Sequence, residues 1–150
     1  MENLVELLLK KILCGLGEEK AVLETADNGR PFLKNSSLFV SMSHSEEKAV
    51  CAVSEKEIGI DIERIKPINS ALIDRVCTRN EMRYVVMPQI GEKADTVENR
   101  AVLERFYEVW TAKEAYFKKM GTGITDLKSV DVTYLEKKVI IEDDYLITII

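Results

Sequence analysis

No stretch of this sequence has the uninterrupted apolar length of a membrane span. Residues 1–17 are rich in leucine, but Glu2, Glu6, Lys10 and Lys11 interrupt them, so they read neither as a span nor as a signal peptide. Cysteine is scarce: Cys14, Cys51 and Cys77 are odd in number, far apart and match no metal or redox spacing. They point to a reducing compartment, and the expected location is cytoplasmic. Excess positive charge is missing too. With 21 Lys and Arg against 26 Asp and Glu, the net charge of −5 argues against a protein whose main business is gripping nucleic acid. There is no internal repeat, no low-complexity segment and no long linker.

What is present is 150 residues, 46% hydrophobic and 31% charged, which excludes a disordered tail or a fibre and fits a single domain over 1–150. Leu4, Val5, Leu8, Leu9, Ile12 and Leu16 recur at helical spacing and predict an amphipathic helix on the core. Strands are expected at 21–25, 37–42, 49–53 and 58–62, with a turn at 27–31. Ser70 is expected to cap a short helix near 71–77, and a second short helix should lie near 81–86. Residues 88–95 read as an exposed loop. From Glu98 to Met120, Val102, Leu103, Phe106, Val109, Trp110 and Phe117 keep a 3.6-residue period, and Gly121 supplies the stop. The alternation of Val130, Val132 and Tyr134, then Val139 and Ile141, then Tyr145, Ile147 and Ile149 predicts an antiparallel meander. The pattern as a whole is that of an α+β fold, with helices on antiparallel sheets.

Chemistry concentrates in three places. In the stretch Ile58-Gly59-Ile60-Asp61-Ile62-Glu63, alternation sends the isoleucines to one face and Gly59, Asp61 and Glu63 to the other. Two like charges side by side repel, so either a cation offsets them or they lie on a solvated face. On the long helix, Trp110, Glu114 and Lys118 are successive i, i+4 neighbours, with tryptophan as the anchor in the core. Glu114 can reach the sheet, or can pair with Lys118 as an ordinary helix pair. Three carboxylates with a lysine nearby suit a hard cation such as Mg²⁺ working on phosphates. The only histidine, His44, stands between Ser43 and Ser45 at a strand exit, where it is either structural or a receiver of phosphate oxygens. Arg64, Lys66, Arg75, Arg79 and Arg83 would suit an acidic protein partner if they share a face, and otherwise form a solvated surface.

In order along the chain, Gly29-Arg30-Pro31, Ser43-His44-Ser45, Gly59-Ile60-Asp61-Ile62-Glu63 and Trp110 to Lys118 followed by Gly121-Thr122-Gly123-Ile124 resemble the motifs of the 4′-phosphopantetheinyl transferase superfamily. The resemblance covers 29–124. It implies two similar α+β halves related by a pseudo-twofold, about 1–56 and 57–150, with coenzyme A in the cleft between them. It implies that Asp61, Glu63 and Glu114 hold Mg²⁺, that Glu114 deprotonates a serine of an acyl or peptidyl carrier protein, and that Lys118 stabilises charge as 3′,5′-ADP departs. Arg30, Ser43 and His44 match positions contacting the nucleotide phosphates, and Lys113 is a further candidate. Against the family pattern the first half is abbreviated, which suggests a shortened member of the larger monomeric type and a possible homodimer. Glu46 follows Ser45 where glycine is usual, placing a negative charge near the expected phosphate site. Two other readings compete: a non-catalytic protein binding coenzyme A or a carrier, and a metal nuclease or phosphohydrolase.

Overall fold

A computed structural model describes residues 4–86, 95–124 and 126–150. Most of the loop expected at 88–95 lies outside those residues. The first helix, α1 (Leu4–Gly15), buries Val5, Leu9 and Leu13. Leu13, not the expected Leu16, completes its apolar stripe, because Leu16 falls past the helix end and is exposed. The hairpin of β1 (Val22–Thr25) and β2 (Pro31–Lys34) follows, turning at Gly29, whose φ of 84° favours glycine. Sequence reasoning took Pro31 as the end of a turn and so overlooked β2. Proline is compatible with the first position of an edge strand. A second antiparallel hairpin, β3 (Phe39–Ser45) with β4 (Lys48–Ser54), carries α1 on its apolar side, and Leu9, Leu13, Leu33 and Val40 form the first of two cores.

The second core is larger and is built around the long helix. β5 (Ile60–Arg64) joins a three-stranded antiparallel sheet of order β5-β9-β8, with β8 at Lys138–Glu142 and β9 at Tyr145–Ile149. The short strands β6 (Ile68–Asn69) and β7 (Thr96–Val97) pair beside it. Helix α2 (Ser70–Val76) is capped by Asn69, whose side chain accepts from Ala71 N, so Ser70 is the first helical residue and not the cap. Helix α3 spans Arg79–Val86.

The central helix α4 (Arg100–Met120) starts at Asn99, whose side chain accepts from Val102 N, and stops at Gly121 with φ 68°. Its face of Val102, Phe106 and Val109 enters the larger core with Ile73, Val85 and Leu146. The alternating residues 130–134 are not a strand. Asp126 and Asp131 accept from Lys128 N and Thr133 N, and each starts a 3-10 turn, at Leu127–Ser129 and Val132–Tyr134. Local side-chain hydrogen bonds here override the period-two signal. The described residues thus form an α+β fold of four α-helices on antiparallel sheets. No helix among them is long and apolar enough to cross a membrane.

Candidate functional site

Alternation along β5 sends Gly59, Asp61 and Glu63 to the face covered by α4, while Ile60 and Ile62 pack on the opposite face. Gly59 permits this arrangement. A Cβ there would fall 1.8 Å from the carbonyl oxygen of Ala115, so the helix backbone rests directly on the strand. Farther along α4, the Thr111 hydroxyl meets the Thr148 hydroxyl of β9 at 2.7 Å and fixes the helix against the sheet.

Pinned in this way, α4 holds Glu114 and Lys118 beside the two strand carboxylates. Lys118 Nζ donates to Asp61 Oδ1 at 2.8 Å and to the Ile60 carbonyl at 3.3 Å. Ser43 Oγ donates to the same Asp61 oxygen at 2.8 Å. Glu63 receives Ser45 Oγ at 3.3 Å and a hydrogen bond from the Trp110 side chain. Trp110 is only partly buried, stacked on Phe106 with ring centres 6.5 Å apart, and so it reaches the site as well as the core.

Burial raises the pKa of Asp61 above its ordinary value, against the pull of Lys118 and Ser43. Burial and then the Asp61 charge raise Glu63. Glu114 is pushed up to about 7 by burial and then by Asp61, with Glu63 adding a smaller push and Lys118 opposing. Between pH 4.5 and 7 the folded protein therefore holds a proton on Glu114 that the unfolded chain releases, so metal-free stability falls as pH rises through that window. Glu114→Gln is expected to melt with the parent below the window and higher than the parent above it, in thermal scans with EDTA. A gap that does not change with pH would contradict this.

The donor set suits a hard divalent cation, which prefers oxygen ligands. Asp61 Oδ2 is buried and has no hydrogen-bond partner among the described residues, an arrangement that calls for one. Among the described residues no three His, Cys, Asp or Glu side chains are already drawn together as a metal cluster. The ammonium of Lys118 lies against Asp61 in this arrangement.

Beside the carboxylates opens a cavity of about 310 Å³, lined among others by Arg30, Ser41, Glu114, Phe117, Lys118 and Gly121. The 29–31 turn is docked onto the end of α4. Asn28 Nδ2 donates to the Gly121 carbonyl at 3.1 Å, and Arg30 packs against Gly121. Arg30 therefore stands in the cavity with Glu114 and Lys118, held loosely by Glu57 at 3.7 Å. Ser43 and His44 are not among the cavity's lining residues: Ser43 is turned onto Asp61, and His44 is exposed on β3 opposite Ala49.

Lys113 requires correction. It is wholly buried on the other side of α4, paired with Glu81 Oε2 at 2.8 Å and donating to the carbonyls of Leu127 and Val130, so it cannot meet a cofactor in this cavity. Glu46 has its charge met by Arg64 at 2.5 Å and by Lys66. Sequence reasoning missed Ser45 as a partner of Glu63, although its even spacing from Ser41 and Ser43 was visible.

Residues 57–147 match the family model of the 4′-phosphopantetheinyl transferase superfamily. The chain is 32% identical over 122 residues to the 4′-phosphopantetheinyl transferase gsp of Aneurinibacillus migulanus, covering 79% of this chain and 47% of that protein. It is 32% identical over 124 residues to psf-1 of Bacillus pumilus, covering 80% and 49%. To the transferase AcpT of Escherichia coli O157:H7 it is 33% identical over 114 residues, covering 72% and 53%. The chain spans about half the length of the curated relatives it matches.

Proposed function

The chain belongs to the 4′-phosphopantetheinyl transferase superfamily, and we propose that it moves the 4′-phosphopantetheine arm of coenzyme A onto a serine of an acyl or peptidyl carrier protein in a Mg²⁺-dependent reaction in the cytoplasm. The observation that carries the reading is that α4 holds Glu114 and Lys118 beside Asp61 and Glu63, with Asp61 Oδ2 buried and without a partner among the described residues, while Glu114, Lys118 and Arg30 line one cavity.

Asp61, Glu63 and Glu114 are the residues that would hold Mg²⁺, which when bound would neutralise charge on the coenzyme's phosphate oxygens. Glu114, with a pKa near neutrality, is suited to take the proton of the carrier serine. The serine oxygen then bonds to the pantetheine-side phosphorus as the phosphorus–oxygen bond to 3′,5′-ADP breaks. Lys118, already within reach of the carboxylates, meets the charge that builds on the departing phosphate. Arg30 would bind nucleotide phosphate inside the cavity; Ser43 and His44, which do not line it, are the further phosphate contacts the family pattern implies.

The reading also takes 1–56 and 57–150 as pseudo-twofold halves. In its support, α1 lies on the β3–β4 hairpin as α4 lies on β5 and β9.

Release of 3′,5′-ADP from coenzyme A, followed by chromatography with an apo carrier protein, tests the reaction. Lys118→Ala is expected to lower kcat by about 10²-fold or more while changing the KM for coenzyme A far less, since its role is with the developing charge. ADP release without a carrier would point to a phosphohydrolase.

A further inference from the structure

β5 uses one edge to pair with β9, and Gly59 and Ile150 exchange both backbone hydrogen bonds there. By the antiparallel alternation, the N–H groups of Ile60, Ile62 and Arg64 point away from β9, toward β3. β3 and β5 share no backbone ladder. Three serine hydroxyls bridge the gap: Ile60 N donates to Ser41 Oγ at 3.0 Å, Ile62 N to Ser43 Oγ at 3.4 Å and Arg64 N to Ser45 Oγ at 3.1 Å. Both series of numbers rise by two, so the strands run parallel and are zipped by side chains.

A hydroxyl that accepts still has its own proton to give. Ser43 gives it to Asp61 and Ser45 gives it to Glu63. Ser41 stands one step earlier in the same series, where the matching residue, immediately before β5, is Gly59, which has no carboxylate. Each carboxylate is thus tied through a hydroxyl to the backbone N–H of the residue after it. On Asp61 that bond falls on Oδ1, which Lys118 shares, and Oδ2 is left open.

We propose that Ser43 and Ser45 are positioning residues that orient Asp61 and Glu63 so that chosen oxygens face a divalent cation. The inference rests on the metal-binding reading of the site. Hydrogen-bond partners of metal ligands characteristically set ligand orientation, and their loss costs about 10–100-fold in affinity.

The test is Mn²⁺ titration of the whole chain, reading free Mn²⁺ by electron paramagnetic resonance, alongside thermal melting. Ser45→Ala is expected to weaken Mn²⁺ binding by about tenfold or more, and Ser45→Thr, which keeps the hydroxyl, to bind close to the parent. Ser41→Ala removes a zipper bond with no carboxylate behind it; it should lower the melting temperature and leave Mn²⁺ affinity intact. Ser45 is half-buried, so its alanine variant should fold. Parent-like affinity in Ser45→Ala, or equal losses in Ser41→Ala and Ser45→Ala, would overturn the positioning role alone. A parent that binds no Mn²⁺, or keeps its binding in Asp61→Ala, would overturn the metal reading and the inference with it.

Discussion

Gly59→Ala is expected to destabilise the fold by about 3 kcal/mol or more, at the upper end of what overpacking costs. The added methyl carbon would sit 1.8 Å from the Ala115 carbonyl oxygen, 2.7 Å from its carbonyl carbon and 3.0 Å from Lys119 N. All three are backbone atoms in the middle or last turns of α4, so no side chain can swing aside to make room. Relief requires α4 to lift off β5, and Glu114 and Lys118 would lift with it. Urea unfolding should show a midpoint far below the parent's, and any folded fraction should bind divalent cations weakly. The same variant melting with the parent would mean that the close approach of helix and strand is wrong.

The second large effect concerns the pair Lys113 and Glu81, both fully buried. Glu81 is a hub: Oε2 accepts from Thr78 N at 2.7 Å and Oε1 from Val132 N at 2.8 Å, while Lys113 reaches the carbonyls of Leu127 and Val130. Together they join α3 and α4 to both 3-10 turns. Truncating one partner leaves an uncompensated charge in the core, so Glu81→Ala should cost about 3–5 kcal/mol. That is a large part of the total for a domain of this size, about 5–15 kcal/mol. Replacing both at once, as Lys113→Met with Glu81→Leu, removes the charges together and should recover much of the loss. Chemical denaturation of the two variants checks this. A double variant no better than the single would show that the hydrogen bonds to the turns, rather than the buried charge, carry the effect.

The role of Lys113 was legible and was read wrongly. It continues the spacing of Val102, Phe106 and Val109 on the buried face of α4, yet the family resemblance made it a candidate contact for the nucleotide phosphates. Helical periodicity, taken literally, puts consecutive residues about 100° apart, and so on different faces. The same periodicity was read correctly for Glu114 and Lys118, and strand alternation was read correctly for Asp61 and Glu63, because each lies within one element. The serine zipper was not legible in the same way. It depends on β3 and β5 lying side by side, and neither strand's sequence says so. Nor was the purpose of Gly59 clear: alternation puts it on the face of the carboxylates, but nothing in the strand's own sequence says that the backbone of α4 rests there. At 130–134 the alternation was real, but Asp126 and Asp131 give the chain local hydrogen bonds that compete with a strand.

These carboxylates and Lys118 are proposed to form a centre for phosphopantetheine transfer. The most direct test is intact-mass spectrometry of a panel of apo acyl and peptidyl carrier proteins incubated with this chain, coenzyme A and Mg²⁺. A gain of one phosphopantetheine on at least one carrier is expected, abolished by EDTA and by Asp61→Ala although that variant stays folded. No gain on any carrier, with coenzyme A still binding by calorimetry, would contradict the proposal and leave a binding protein of the same fold.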